Sequence, residues 1–241
     1  MARPVKKTSN FKRYDVVIVG AGITGAAIAR ELSRYDLRIL LLDKEAEPAF
    51  GVSKSNSGII HTGIQSPFGS LKGRLCVQGN QLIRRLAVEL DLDFTEVGEL
   101  LVAFNEEEET GLEELRRIGR RMGVPGLRIV DPAWLRDHEP NLSYKIRKAL
   151  YAPGAGVISP YQFVYALTEN AAANGVEIRT ATPVERIAYE PTSGLFDVMS
   201  GNSIFTGRFV VNAAGLFADE VAAMVGVDDF CITPRKGEEF I

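Results

Sequence analysis

The sequence predicts an α/β fold organised around a buried parallel sheet. This prediction depends on an apolar, β-branched run at 14–19, a glycine-rich turn with helical periodicity at 23–33, and a second apolar run at 37–42. Strands that are buried on both faces of a parallel sheet have such continuous apolar sequences. A strand, a helix and a strand within about thirty residues form a βαβ unit, for which a right-handed crossover is expected.

The rest of the chain alternates between helical and strand-like segments. Helices are predicted over 71–90, 106–121, 131–137, 160–174 and 216–224. Strands are predicted over 100–104, 147–151, 176–180, 184–189, 195–200 and 203–205, with a buried segment at 209–211 and a strand-like end at 231–241. The stretch 52–69 is rich in glycine and serine, which predicts a long structured loop of the kind that often carries function. The acidic run at 106–109 is interpreted as the first turn of a helix, not as a cation site.

Composition narrows the class of protein. With 46% hydrophobic and 24% charged residues among 241, the chain is neither disordered, collagen-like nor a coiled coil. Its 28 basic and 31 acidic residues leave a net charge of −3, so we expect no nucleic-acid partner. No apolar run is long enough for a transmembrane segment. Two distant cysteines and two histidines predict neither a disulfide framework nor a metal site, and we expect a cytoplasmic location.

The single basic cluster lies at the start of the chain. It contains Arg3, Lys6, Lys7, Lys12 and Arg13, and no apolar segment follows that would make it a secretory signal. We interpret residues 1–13 as a solvated basic tail. An arm that binds a membrane surface or nucleic acid is the alternative.

A glycine motif stands between the first predicted strand and helix. Residues 20–25 read GAGITG and fit the pattern G-x-G-x-x-G. In this pattern Gly20 permits a tight turn, Gly22 leaves room for a pyrophosphate, and Gly25 lets the helix pack near the strand. The N–H groups at the start of the helix, at Ile23 and Thr24, suit an anion. A tight turn with no ligand is the alternative.

Asp43 strengthens the dinucleotide interpretation. It ends the second predicted strand, 18 residues after Gly25, where a carboxylate accepts hydrogen bonds from an adenosine ribose. A negative charge there repels a 2′-phosphate, so NADP is not expected. The spacing does not separate NAD from FAD.

Two further segments have the composition of ligand-binding loops. The first is 53–63, SKSNSGIIHTG, whose hydroxyls, amide and glycines could wrap phosphates or a ribityl chain. It contains His61, which could act as a base near neutral pH or be a hydrogen-bonded structural residue. The second is 210–215, VVNAAG, a predicted buried strand ending in small residues, which could approach a ligand or only a neighbouring strand. His138 lies in a connector and is interpreted as a surface residue.

These segments together resemble a known family. The stretches DVVIVGAGITGAAIARE, LLLDKE, SNSGIIHTGI, GVISP, VVNAAGLFAD and TPRKGEEF are similar to those of FAD-dependent oxidoreductases of the D-amino-acid-oxidase superfamily. The likeness is strongest to the branch of glycerol-3-phosphate oxidases and dehydrogenases and L-2-hydroxyglutarate oxidases. It covers about 14–241. It implies a Rossmann-like FAD-binding domain of the GR2/DAO type at 14–79 and 154–225, interleaved with an α+β substrate domain at 80–153 and 226–241.

The resemblance also implies roles for individual residues. His61 would be the catalytic base at the reactive face of the flavin, and Ile60 would contact substrate. The cationic Arg235 or Lys236 could hold an anionic group of the substrate. An exposed, solvated pair of cations is the alternative. Where related members have Arg-Gly followed by Tyr, this chain has Lys236-Gly237-Glu238-Glu239, which departs from the family pattern. The residues implied in FAD binding are Gly20, Gly22, Ile23, Thr24, Gly25, Asp43, Lys44, Ser55, Asn56, Ser57, Gly58, Val184, Ala213, Ala214 and Gly215.

The implied activity is FAD-dependent oxidation of a secondary alcohol on a small anionic metabolite, foremost glycerol 3-phosphate to dihydroxyacetone phosphate. The electron acceptor would be oxygen, a quinone or a redox partner, and peripheral association with the inner face of the cell membrane is an open alternative. L-2-hydroxyglutarate oxidation and amine oxidation are alternatives on the same fold. Because family members continue beyond this length, we expect a C-terminally truncated substrate domain, and a non-catalytic dinucleotide-binding fragment is a third alternative.

Overall fold

The computed structural model describes residues 12–237, which divide into two compact units. The first unit contains residues 12–56 and 160–237, and the second contains 57–159. Of the predicted basic tail at 1–13, only Lys12 and Arg13 lie within the described residues.

The first unit is built on a six-stranded sheet. In spatial order its strands are β10 (Arg186–Glu190), β11 (Leu195–Ser200), β12 (Ser203–Asn212), β1 (Arg13–Val19), β2 (Ile39–Leu42) and β9 (Glu177–Arg179). The pairs β12–β1, β1–β2 and β2–β9 are parallel, and β10–β11 and β11–β12 are antiparallel. The predicted βαβ unit is therefore confirmed, with α1 (Ile23–Leu32) connecting β1 to β2.

The two central strands are buried on both faces. Val17, Leu40 and Leu42 belong to one core cluster, which also contains a residue of α6 (Ala218–Ala223). Ile18 and Leu41 belong to the opposite cluster, which contains residues of α1 and α5 (Pro160–Ala173). Alternating side chains point to opposite faces of a strand, so a continuous apolar run supplies both cores.

The second unit contains two antiparallel three-stranded sheets and three helices. One sheet has the order β3 (Ile59–Ile60), β8 (Gly156–Ile158), β4 (Phe94–Glu96), and the other has the order β5 (Glu99–Ala103), β7 (Lys148–Ala152), β6 (Arg128–Val130). The helices are α2 (Leu71–Glu89), α3 (Glu106–Arg121) and α4 (Pro132–His138). The main core of this unit contains Ile64, Val77, Leu112, Leu127 and Leu150.

The acidic run begins α3, as predicted. The Asn105 side chain accepts a hydrogen bond from the Glu108 nitrogen at 2.9 Å, and the Glu108 carboxylate accepts one from the Phe104 nitrogen at 2.6 Å. The first bond satisfies an N–H group that a helix start otherwise leaves without a partner, and the second ties the residue before the N-cap to the first turn.

The unit boundaries differ from the predicted domain boundaries. The chain passes from the first unit to the second between Asn56 and Ser57, whereas the predicted boundary lies after residue 79. The reason is that Ile64 and Val77 pack into the core of the second unit. The chain returns to the first unit at Pro160 instead of at 154, and residues 226–237 belong to the first unit. That these units bind cofactor and substrate respectively stays a prediction.

Three predicted segments near the end of the chain are wrong in detail. Residues 203–212 form one strand, and Phe209, predicted to be buried, is 59% exposed. An apolar run favours a strand but does not determine which part of a sheet a helix covers. The predicted helix 216–224 is a 3₁₀ turn, Gly215–Phe217, followed by α6.

The predicted strand at 231–241 is irregular over its described residues, 231–237. The Ile232 nitrogen donates to the Asp219 carboxylate at 2.8 Å, so a side chain takes the hydrogen bond that a neighbouring strand would otherwise accept. Residues 238–241 lie outside the described part of the chain.

Candidate functional site

A cavity of about 330 Å³ lies in the first unit, at the carboxyl ends of β1 and β2. Ligands of open α/β sheets bind in this position, where neighbouring strands connect in opposite directions along the sheet. The predicted residues among those lining the cavity are Gly20, Gly22, Asp43, Lys44, Val184, Ala213, Ala214 and Gly215.

Two glycines of the motif are required by the local backbone. Gly20 has a φ of +105°, and a Cβ atom there would lie 2.4 Å from the Ala213 carbonyl oxygen. A Cβ atom on Gly25 would lie 1.8 Å from the Gly20 carbonyl oxygen. The motif therefore folds as the tight turn and close helix packing that the spacing predicts.

The start of α1 is capped from outside the helix. Gly22 is its N-cap residue and has no side chain to accept a hydrogen bond. Ser53 supplies the acceptor, because its Oγ atom accepts from the Ile23 nitrogen at 2.9 Å. Both Gly22 and Ser53 line the cavity, whereas Ile23 and Thr24 do not. The capping role of Ser53 was not predicted, and its only sequence signal is its place in the polar loop.

Asp43 joins the glycine turn to the loop that follows β2. One carboxylate oxygen accepts from the Ala21 nitrogen at 2.5 Å and the other accepts from the Glu45 nitrogen at 2.8 Å. Each oxygen of a carboxylate can accept a further hydrogen bond. Asp43 can therefore stabilise the turn and still accept bonds from a ligand in the cavity.

Lys44 contacts the aromatic ring of a residue that is distant in the sequence, Phe217. Its Nζ atom lies 3.2 Å from the centroid of the Phe217 ring, and both residues line the cavity. A cation over the face of an aromatic ring is attracted by the quadrupole of the ring. Phe217 was not predicted as a site residue, and its position depends on the 3₁₀ turn after β12.

The backbone around Val184 and Ala213 forms another part of the lining. Val184 was predicted to lie in a strand, but β10 begins at Arg186 and leaves Val184 in the preceding loop. Ala213 follows β12, and its nitrogen donates to the Val19 carbonyl at 2.8 Å. This bond holds the small residues after β12 against the end of β1.

The polar loop is divided between the two units. Ser55 and Asn56 belong to the first unit but do not line the cavity, and the Asn56 amide donates to the carbonyls of Val52 and Ser53. Ser57, Gly58, Ile60 and His61 belong to the second unit. Lys236 is exposed in the irregular segment and is not among the residues lining the cavity.

His61 is the predicted base, and its imidazole is 60% exposed. Its Nδ1 atom lies 3.5 Å from a carboxylate oxygen of Glu99, and its carbonyl accepts from the Asn80 side chain at 3.2 Å. His138 is an exposed residue at the end of α4, as predicted, where it stacks on Trp134.

The described residues also bear on membrane-spanning helices and metal sites. No helix within 12–237 is both long and apolar enough to cross a membrane. Over the same residues, no three His, Cys, Asp or Glu side chains group so that they could hold a metal ion.

The decisive comparison is with a family of known proteins. The model of the DAO family, described as FAD dependent oxidoreductase, matches residues 15–241. The chain belongs to this family of FAD-dependent oxidoreductases. The predicted family and its cofactor, FAD, are thereby confirmed.

Two relatives show how much of a longer protein this DAO-family chain matches. It is 39% identical over 228 residues to the glycerol 3-phosphate dehydrogenase of Caloramator mitchellensis. This match covers 95% of this chain and 47% of that protein. It is 34% identical over 241 residues to the mitochondrial L-2-hydroxyglutarate dehydrogenase of Caenorhabditis elegans. This match covers 98% of this chain and 55% of that protein. The chain thus spans about half the length of these curated relatives.

A solved structure supports the fold of this DAO-family chain. The dithionite-reduced L-α-glycerophosphate oxidase of Mycoplasma pneumoniae, a structure with FAD bound, superposes with a TM-score of 0.84 at 31% identity. The superposition covers 91% of this chain and 59% of that one. The α/β fold predicted from the sequence is therefore confirmed.

Proposed function

We propose that the cavity at the ends of β1 and β2 binds the adenosine and pyrophosphate part of FAD. The observation that carries the proposal is that three parts of the fold line one cavity: the N-terminus of α1 at Gly22, the carboxylate of Asp43, and the small residues after β12. Backbone N–H groups at a helix start suit the pyrophosphate, and a carboxylate at the end of the second strand suits the ribose hydroxyls.

The remaining predicted cofactor contacts are part of this proposal. Val184, in the loop before β10, would contact the adenine. Lys44 would lie beside the adenosine, where its ammonium now lies over the ring of Phe217. Ile23, Thr24, Ser55, Asn56, Ser57 and Gly58 stay proposed contacts of the pyrophosphate and the flavin.

The reaction that we propose is oxidation of a secondary alcohol on a small anionic metabolite. FAD, when bound, supplies the acceptor for the hydride of the carbinol carbon. His61 takes the hydroxyl proton at Nε2, which leaves the oxygen with the charge that expels the hydride. Ile60 and Lys236 are the proposed substrate contacts, and the ammonium of Lys236 would attract an anionic group.

Glycerol 3-phosphate is the first substrate we propose, because a relative that is 39% identical to this chain is a glycerol 3-phosphate dehydrogenase. L-2-hydroxyglutarate is the second, because a relative that is 34% identical is an L-2-hydroxyglutarate dehydrogenase. Oxygen, a quinone or a redox protein would accept the electrons.

A competition experiment tests the cofactor site. The 241-residue chain is loaded with FAD, ADP or riboflavin is added as a competitor, and the FAD that stays bound is separated by ultrafiltration and measured by chromatography. We expect ADP to displace FAD and riboflavin not to, because the proposed contacts hold the adenosine and pyrophosphate end. Displacement by riboflavin alone would mean that this cavity is not the adenosine site.

A second experiment tests the reaction. The FAD-loaded chain is mixed anaerobically with glycerol 3-phosphate, L-2-hydroxyglutarate or glycine, and bleaching of the flavin absorbance is recorded. We expect glycerol 3-phosphate to be fastest, and His61→Ala to slow flavin reduction by about 10²- to 10⁴-fold while flavin is retained. Fastest bleaching by glycine would favour amine oxidation, and bleaching by none of the three would favour a non-catalytic binding unit.

A further inference from the structure

We propose that Glu99 is the positioning residue of His61: its carboxylate holds the proton on Nδ1 and leaves Nε2 free to accept the substrate proton. The inference rests on the proposed role of His61 as the base. It adds a residue from β5, a strand that begins 38 residues further along the chain.

The Glu99 carboxylate is fixed from two directions. Its backbone pairs with Ala152 across the β5–β7 ladder, and only 16% of its side chain is exposed. Thr62, which is 2% exposed, donates its hydroxyl to one carboxylate oxygen at 2.5 Å. The second oxygen faces His61, 3.5 Å from Nδ1.

The imidazole is the only cation-forming group close to this carboxylate in the described part of the chain. No lysine or arginine nitrogen of residues 12–237 lies within 4.0 Å of the Glu99 oxygens. A mostly buried carboxylate is stabilised by donors that reach it. Thr62 supplies one such donor and the Nδ1–H group of His61 supplies the next.

A separate contact holds the backbone of His61. Asn80 is 6% exposed, and its amide donates to the carbonyls of His61 at 3.2 Å and Gly154 at 2.8 Å. Arg84 in turn donates to the Asn80 amide oxygen at 2.9 Å. A side chain of α2 thus holds the main chain at His61, whose ring is exposed.

The position of Glu99 determines which ring nitrogen carries the proton. In a neutral imidazole one nitrogen donates and the other accepts, and the partner of one nitrogen sets the role of the other. At 3.5 Å the contact between Nδ1 and the Glu99 oxygen is longer than a normal N–H···O bond, and catalytic hydrogen bonds are often long in ligand-free enzymes. Glu99 accepts at Nδ1, so Nε2 is the acceptor for a substrate hydroxyl.

The tautomer can be measured directly, because the chain has two histidines only. Long-range ¹H–¹⁵N spectra of the 241-residue chain at about pH 8.5, where imidazoles are largely neutral, give one pattern for each ring. His61→Gln assigns the pattern of His61. His138 is the internal reference, since its Nδ1 lies 2.9 Å from the Trp134 carbonyl, which can only accept. We expect both rings to carry the proton on Nδ1.

The variant Glu99→Leu should move the His61 proton from Nδ1 toward Nε2 and leave His138 unchanged. Since this change leaves the buried Thr62 hydroxyl without an acceptor, the double variant Glu99→Leu/Thr62→Val provides a form in which both partners are apolar. Glu107→Leu, an exposed change on α3, is the control and should alter neither ring. A wild-type His61 protonated on Nε2, or an unchanged Nδ1 proton in the folded double variant, would overturn the proposal.

Flavin reduction provides a second readout. In the FAD-loaded chain, Glu99→Leu should lower the limiting rate of reduction by glycerol 3-phosphate by about 10- to 100-fold, the range found when the hydrogen-bond partner of a metal-binding histidine is removed. The dissociation constant of the substrate should stay the same, and Glu99→Leu should cause no further loss in a His61→Ala background. A normal rate of flavin reduction in His61→Ala would overturn the proposed role of His61 as the base. It would leave the contact between Glu99 and His61 to be decided by the tautomer spectra.

Discussion

The Oγ atom of Ser53 lies 2.9 Å from the backbone nitrogen of Ile23 and accepts its hydrogen bond. The loop that follows β2 therefore caps the helix that follows β1. This relationship joins two edges of the candidate cofactor cavity, because Ser53 and the adjacent Gly22 both line it.

Ser53→Ala should destabilise the first unit by about 1 kcal/mol, the usual effect of removing a helix cap. Urea unfolding followed by circular dichroism measures the change. Ser55→Ala is the matched control, since Ser55 is exposed in the same loop, and its stability should change by less than about 0.5 kcal/mol. An equal loss in both variants would argue against the capping bond.

Gly25→Ala should unfold the first unit or destabilise it by at least about 3 kcal/mol, because the new Cβ atom would lie 1.8 Å from the Gly20 carbonyl oxygen. Gly79→Ala provides the contrast. Gly79 is exposed within α2 with no atom within 4 Å of an added Cβ, so alanine should stabilise that helix by about 0.5–1 kcal/mol. Thermal unfolding of the two variants should shift in opposite directions.

Asp43→Asn should weaken ADP binding about 10-fold, because hydrogen bonds to charged groups contribute about 1.5–3 kcal/mol each. Isothermal titration of the 241-residue chain with ADP measures this loss. Asp36→Asn removes the same charge from an exposed position in the turn after α1 and should leave the affinity unchanged. Equal affinity in Asp43→Asn and wild type would remove Asp43 from the proposed ribose contacts.

Acid should destabilise the first unit through Glu177. Burial alone would raise the pKa of Glu177, but hydrogen bonds from Lys12, Arg179 and Tyr14 outweigh burial and lower it from 4.5 to about 2. A lowered folded-state pKa contributes stability that is present above pH 4.5 and is lost as the pH falls toward about 2. Glu177→Gln should therefore flatten the decline of unfolding free energy between these pH values. An unchanged slope would show that other carboxylates cause the decline.

Alkali should destabilise the first unit through Tyr14. Burial and the neighbouring Glu177 carboxylate raise the pKa of Tyr14 from 10.0 to about 12. The phenol is neutral in the folded chain at a pH where it would ionise when unfolded, so its contribution is lost as the pH rises from 10 toward about 12. Tyr14→Phe should make the unfolding free energy less dependent on pH in this range, measured by urea unfolding at several alkaline pH values.

The sequence by itself determined the βαβ unit, the glycine turn and the amphipathic helices. These features depend on interactions between residues that are near each other in the chain. A continuous apolar run makes a strand buried on two faces, and Gly20 and Gly25 are required by the turn that they form. The acidic residues at 106–109 begin α3, because a helix start attracts negative charge within its own first turn.

Only the tertiary structure decided which distant residues meet. Ser53 reaches Ile23, Phe217 reaches Lys44, and Glu99 reaches His61. It also decided that the polar loop divides after Asn56, and that Phe209 lies exposed on its strand. Periodicity and spacing report the local conformation of the chain, whereas these contacts depend on how whole strands and helices pack. The carboxylate that faces the candidate base therefore comes from a strand that no local pattern connects to it.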